Sequence, residues 1–321
     1  MAVPIIIDCD PGHDDALAIL LAAGDPAVDL LAITTVAGNQ TVEKTTWNAR
    51  RVCTVAGITG VPIAAGCPKP LAQPLAVAAD VHGESGLDGP WFPEPTVEAE
   101  PEHAVELLYR ILTEHPEPVT LVPTAPLTNI ALLLTRYPDS ASRIREIVLM
   151  GGSTGRGNRT PAAEFNIHTD PEAADIVFRS GVPLTMCGLD VTHQALATPE
   201  VLARLDGLGT DLGRVCAELI RFFASTYRTL YGFPAAPVHD PVAVARVIDP
   251  GVVRCVETNV AVELHGELTR GMTVVDLHRR TGRPVNAKVA LELRQDLFWD
   301  RVVAAIAALG PQAGVRSPYG R

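Results

Sequence analysis

The sequence predicts an α/β fold: an open, mostly parallel, Rossmann-like central sheet with helices on both faces and a small C-terminal β addition. Two observations carry this. Short, apolar, branched runs alternate with helical stretches through the first two-thirds of the chain, the pattern of strands covered on both faces. The last third changes character, with a long helix, two β-like segments and a closing helix. At 321 residues, 47% hydrophobic and 20% charged, the chain can bury a sizeable core. With no repeat and no low-complexity linker, it reads as one domain over residues 1–321.

The elements follow in order. Residues 3–8 (VPIIID) are short, branched and apolar, a buried strand. Pro11-Gly12 is a turn, and 14–23 a helix ended by Gly24. Residues 28–38 read as a strand and 41–57 as a helix. Further alternation gives helix 101–114, strand 118–123, helix 126–136, strand 144–150, helix 171–180 and strand 183–187. A long helix over about 211–230 leads through a Pro/Ala loop, 232–238, to a short helix from about 241. VVRCVETNVAVEL and GMTVVDL look like a hairpin or a sheet edge, 296–308 is a helix, and GPQAGVRSPYGR a loose tail.

Composition narrows the function. The net charge is −11 and no long basic run occurs, which argues against gripping a nucleic acid backbone. Apolar runs fall short of a membrane span, and Asp8 comes too early for a signal peptide. Six scattered cysteines without a CxxC pair read as buried thiols in a reducing compartment, so a cytoplasmic location is expected.

The chemistry concentrates near the start, in DCDPGHDDA. Asp8, Asp10, Asp14 and Asp15 fall within eight positions, between two apolar runs. Asp10 sits at the carboxyl end of the strand, where sites lie in such folds. Asp14 and Asp15 fall in the first helical turn, where the dipole favours an anion by roughly 0.3–1 kcal/mol. That does not offset four crowded carboxylates, but a divalent cation does. Hard oxygen donors suit Ca²⁺ or Mg²⁺ better than zinc. Helix capping is the alternative use for any one of these aspartates.

DCDPGHDDA resembles the DTDPGxDDA signature of the nucleoside hydrolases of the inosine-uridine type, with Cys9 in place of threonine. Four further stretches follow in the family's order. They are VHGESGLDG (81–89), VPTAPLTNIA (122–131, with Ala125 where glycine is common), VLMGGSTGRGNRTPAAEFNIHTDPEAA (148–174) and VHDPVAV (238–244). The resemblance implies a Ca²⁺-dependent enzyme that cleaves the N-glycosidic bond of ribonucleosides. It implies Asp10, Asp15, Asp240 and the carbonyl of Thr124 as metal ligands, with Asp10 also the general base. It assigns Asp14, Asn39, Asn158, Glu164 and Asn166 to the ribose hydroxyls and Met150 to the sugar's edge. It also implies a homodimer or homotetramer.

Asp240-Pro241 on its own reads as a helix cap followed by proline at the first helical position, as at Asp170-Pro171 and Thr198-Pro199. Only the resemblance turns it toward a metal. His239, beside Asp240, is the candidate acid for the leaving base, and His82 a base contact or helper. Tyr227 and Tyr231 share a helix face, either against a nucleobase or in the core, and Phe165 helps line the pocket. Arg159 has no place, and Arg279, Arg280 and Arg283 read as a solvated turn. Both histidines together lean toward inosine, uridine or cytidine. The alternatives are another N-riboside on the same fold and metal, a non-catalytic nucleoside-binding protein, and a haloacid-dehalogenase-like phosphatase suggested by DCD.

Overall fold

The computed structural model describes residues 2–309, so the expected loose tail lies outside the described residues. The strands are β1 (Val3–Cys9), β2 (Val28–Thr35), β3 (Ile63–Ala65), β4 (Val119–Pro123), β5 (Ile144–Met150), β6 (Leu184–Cys187), β7 (Leu196–Ala197), β8 (Ala236–Pro237), β9 (Val253–Thr258), β10 (Val260–Val262), β11 (Thr273–Val275) and β12 (Ala287–Leu293). The helices are α1 (His13–Gly24), α2 (Val42–Ala56), α3 (Ala79–His82), α4 (Ala104–Glu114), α5 (Thr128–Arg136), α6 (Phe165–Thr169), α7 (Pro171–Phe178), α8 (Leu189–Thr192), α9 (Pro199–Asp206), α10 (Asp211–Tyr231), α11 (Pro241–Ile248) and α12 (Gln295–Ala308).

Eight strands form the main sheet in the order β3-β2-β1-β4-β5-β6-β12-β9, parallel except for β9 against β12. β1 shows why its sequence is apolar throughout. Ile5, Ile7 and Cys9 enter the layer that holds α1 and α12, while Ile6 enters the layer that holds α4 and α5. Successive side chains alternate faces and both faces are covered. The expected fold class is therefore the observed one.

Differences from the expected elements have local causes. Strand 28–38 stops at Thr35, and Val36–Asn39 turns away to carry Asn39 into the site. The two β-like C-terminal segments give both expected forms, a hairpin of antiparallel β10 and β11 and a sheet edge at β9. β9 pairs with β12 at the sheet edge, and β10 pairs with β11 separately. β12 was not expected: AKVALEL mixes residues of good helix propensity, and its neighbours β6 and β9 select the strand. Arg279, Arg280 and Arg283 are exposed in a turn, as expected.

The strand order places the site. From β1 the chain moves through β2 to β3 on one side, and β4 joins β1 on the other. Connections leave in opposite directions at the carboxyl ends of β1 and β4, which opens a crevice. Asp10 follows β1, Thr124 follows β4, and Met150 ends β5.

Candidate active site

Every residue expected at the site, apart from Asp10 and Asp15, lines one pocket at that crevice. Those two are buried behind it and hydrogen-bond to Asn39 and Thr124 of the pocket wall. The Pro11-Gly12 turn folds α1 back, so Asp15 Oδ2 accepts from the backbone N–H of Gly12 at 3.0 Å. Asp15 Oδ1 accepts from the Thr124 hydroxyl at 2.8 Å, which ties β4 to α1. Asp10 Oδ2 accepts from the backbone N–H of Asn39 at 2.6 Å. Gly38 permits this approach, since a Cβ there would lie 2.0 Å from Asp10 Oδ2. β1 ends at Cys9, so Asp8 and Asp10 part ways. Asp8 Oδ1 accepts from Thr34 Oγ1 and Asn129 Nδ2 at 2.6 and 2.7 Å, within the sheet.

Carboxylate oxygens of Asp14, Asp15 and Asp240 lie within 4.8 Å of one another. Asp240 caps no backbone N–H in α11, whereas Asp170 does accept from Ala173 N–H in α7. The same Asp-Pro spelling therefore serves two ends. Asp14, which the resemblance gave to ribose, stands in the converging group. Asp10 borders it, and its Oδ1 is buried without a hydrogen-bond partner among the described residues.

Burial and mutual repulsion decide the electrostatics. Burial, then the charge of Asp15, pushes the Asp10 carboxyl well above the usual range, and burial, then the charges of Asp14 and Asp15, does the same to Asp240. Asp14 is pushed up to about 7, by burial first and then by Asp15. An orphaned buried oxygen beside three converging carboxylates, with donors that are all oxygen, fits a hard divalent cation. Thr124 lines the same pocket, and its carbonyl oxygen accepts from Asn166 Nδ2 at 2.9 Å.

The long stretch after β5 supplies the other wall. Glu164 Oε2 accepts from Gly152 N–H at 2.8 Å, and Glu164 Oε1 from Asn166 N–H at 2.9 Å. Its carboxyl is pushed up to about 7 by burial. Asn158 Oδ1 accepts from Phe165 N–H at 2.9 Å, which commits its oxygen to the loop. Asn166 Nδ2 also reaches Met150 O at 3.1 Å.

On the base side, His239 is engaged at both ring nitrogens. Nδ1 lies 2.8 Å from Thr192 Oγ1, and Nε2 2.8 Å from the Tyr227 hydroxyl. Burial lowers His239 and His82 well below the ordinary histidine value, and His13 to about 4, so all three are neutral imidazoles. Tyr227 is thus a pocket residue with a polar partner, and Tyr231 stands half-exposed at the rim. Arg159 finds a place there too. Its guanidinium lies 3.6 Å from Asp80 and over the Phe165 ring.

Phe223, Thr192 and His13 were missed from the sequence. Phe223 extends the four-residue stripe of Tyr227 and Tyr231, a signal that was legible. Thr192 and His13 carried none, because their partners lie 47 and 69 residues away in the chain.

Residues 5–300 match the profile of the inosine-uridine preferring nucleoside hydrolases. The chain belongs to that family. As a nucleoside hydrolase it cleaves the N-glycosidic bond of ribonucleosides, and the phosphatase reading of DCD is set aside. It is 51% identical over 308 residues to the pyrimidine-specific ribonucleoside hydrolase RihA of Photobacterium profundum, covering 96% of this chain and 99% of that one. It is 50% identical to the enzyme of the same name from Escherichia coli O17:K52:H18, over 94% of this nucleoside hydrolase and 97% of that protein. Its fold superposes on the purine-preferring ribonucleoside hydrolase from Gardnerella vaginalis with a TM-score of 0.89, at 34% identity, over 95% and 98% of the two chains.

Proposed function

We propose that this nucleoside hydrolase prefers pyrimidine ribonucleosides and works with Ca²⁺ held by Asp10, Asp15, Asp240 and the carbonyl of Thr124, with Asp14 adjoining. The observation that carries the mechanism is the buried, unpartnered Asp10 Oδ1 beside the converging carboxylates. The roughly 50% identity to relatives named pyrimidine-specific supports the preference. Bound Ca²⁺ would acidify the attacking water and bind ribose hydroxyls.

The residues divide the work. Asp10 Oδ1 takes a proton from the water as its oxygen attacks the anomeric carbon. Asp14, Asn39, Asn158, Glu164 and Asn166 hold the ribose hydroxyls, and Met150 lines the sugar's edge. Their oxygens also favour the positive charge that develops on the sugar. As the glycosidic bond breaks, its electrons leave with the base, which must gain a proton. Tyr227 gives its proton to the base. The resulting phenolate accepts a hydrogen bond from His239 Nε2–H, whose ring is oriented by a hydrogen bond from Thr192 to Nδ1. The phenolate regains a proton through solvent as Asp10 releases the one it took from the water. Phe165, His82 and Tyr231 shape the base pocket.

Tyr227→Phe is expected to lower kcat for uridine about 10²-fold. p-Nitrophenyl riboside, whose leaving group needs no proton, should suffer far less. Equal losses on both would make Tyr227 a packing residue.

The preference is tested by release of ribose from uridine, cytidine, inosine, adenosine and guanosine. Uridine and cytidine should have the highest kcat/KM. A purine ranked first would place the chain with the Gardnerella enzyme in preference, and no release at all would favour another N-riboside or a binding role.

The reading extends to the protein's setting. It acts as one domain over residues 1–321, in the cytoplasm, as a homodimer or homotetramer in nucleoside salvage. The continuous sheet from β1 to β12 supports the single domain. No helix among the described residues is long and apolar enough to cross a membrane.

A further inference from the structure

Two buried imidazoles meet behind the base pocket. His13 begins α1 and His82 ends α3, and their Nδ1 atoms lie 3.1 Å apart. His13 Nε2 lies 2.8 Å from the carbonyl oxygen of Asp88. A carbonyl only accepts, so His13 Nε2 carries that ring's proton and its Nδ1 is bare. Two bare nitrogens at 3.1 Å would repel, so the proton between them belongs to His82 Nδ1. The backbone N–H of His13 also points toward His82 Nδ1, at 3.4 Å, and is the weaker contact.

His82 Nε2 is then unprotonated. His82 lines the pocket, and among the described residues no hydrogen bond reaches that nitrogen. The arrangement is held firmly. His13 stacks on Phe222 and Phe223 with centroids at 5.0 and 5.4 Å. His82 packs directly on the turn, since a Cβ on Gly12 would fall 2.5 Å from its Nδ1.

We propose that His13 is a positioning residue for base recognition: it holds His82 in the tautomer that offers a bare Nε2 to the nucleobase, so the site selects a base edge that donates an N–H. Uracil at its ring N–H and cytosine at its amino group both present one. The link to the base rests on the pocket assignment made under Proposed function, whereas the tautomer does not.

The test uses full-length protein with ¹⁵N-labelled histidine, loaded with Ca²⁺ and free of substrate. Long-range ¹H–¹⁵N correlation spectra at neutral pH report which nitrogen of each ring is protonated. Both rings lie against Phe223, so His13 is identified by the loss of its signals in His13→Phe, and His82 is the other ring close to Phe223. The expected result is His82 protonated at Nδ1 and His13 at Nε2. His13→Phe removes the acceptor, so the His82 signals should move toward the other tautomer. kcat/KM for uridine should then fall about tenfold more than for p-nitrophenyl riboside, the scale of one buried hydrogen bond. His13→Asn, which restores an acceptor, should recover both readouts.

A wild-type His82 protonated at Nε2 overturns the proposal whatever the kinetics of the variants. An unchanged His82 spectrum in folded His13→Phe also overturns it. So does a shifted tautomer with the same uridine-to-aryl-riboside ratio as wild type. If wild type hydrolyses neither substrate, the hydrolase reading fails, and the wild-type spectrum still decides the tautomer.

Discussion

Asp10→Asn is expected to lower kcat for uridine by about 10²–10⁴-fold, the usual range for loss of a general base, with little change in fold. Asparagine keeps the shape of the side chain, and its oxygen can still accept from the backbone N–H of Asn39, now a 2.6 Å contact. What is lost is the charge and the basicity of Oδ1, the atom buried without a partner. One fewer carboxylate also weakens Ca²⁺ binding, so kinetics belong at saturating Ca²⁺ and affinity in a separate calorimetric titration. Asp10→Asn turning over uridine within fivefold of wild type at saturating Ca²⁺ would remove Asp10 from the role of base.

Removing the metal should have the second large effect. Chelation is expected to abolish ribose release and to lower Tm by about 6 °C, if Ca²⁺ is normally present at about 1,000 times its Kd. The effect should depend on pH in a defined direction. Burial raises Asp8 and Asp14 from 3.8 to about 7, and Glu164 from 4.5 to about 7. The folded, metal-free protein therefore binds protons more tightly than the unfolded chain between about pH 4 and 7. Across that window these groups make stability fall as pH rises. On the proposal that Ca²⁺ sits among these carboxylates, it would supply the missing counter-charge and compete with protons, so it is expected to raise Tm more at pH 8 than at pH 5. Calorimetric scans with and without chelator at the two pH values check this. Equal Ca²⁺ gains at both would mean that the carboxylate cluster does not hold the ion.

Much of this was legible in the sequence. The sheet could be read because strands covered on both faces must be apolar throughout, as in VPIIID, whatever packs on them. The aspartate cluster could be read because like charges that close between apolar runs demand a counter-charge. Short or mixed elements were less legible. β3 has three residues and β12 spells a pattern that suits a helix as well, so only pairing with neighbours decides them.

The sequence by itself determined the α/β class, the metal-type carboxylate cluster after β1, and the family to which its motifs belong. These depend on local spacing and composition, which the chain carries within single stretches. Tertiary structure alone decided which aspartates converge, turning Asp240 toward Asp14 and Asp15 while Asp170 caps a helix. It also decided which groups face the ring nitrogens on the base side. The partners of His239 and His82 come from elements 12 to 69 residues away. A hydrogen bond has a direction and a range of about 3 Å, and only the folded chain fixes either.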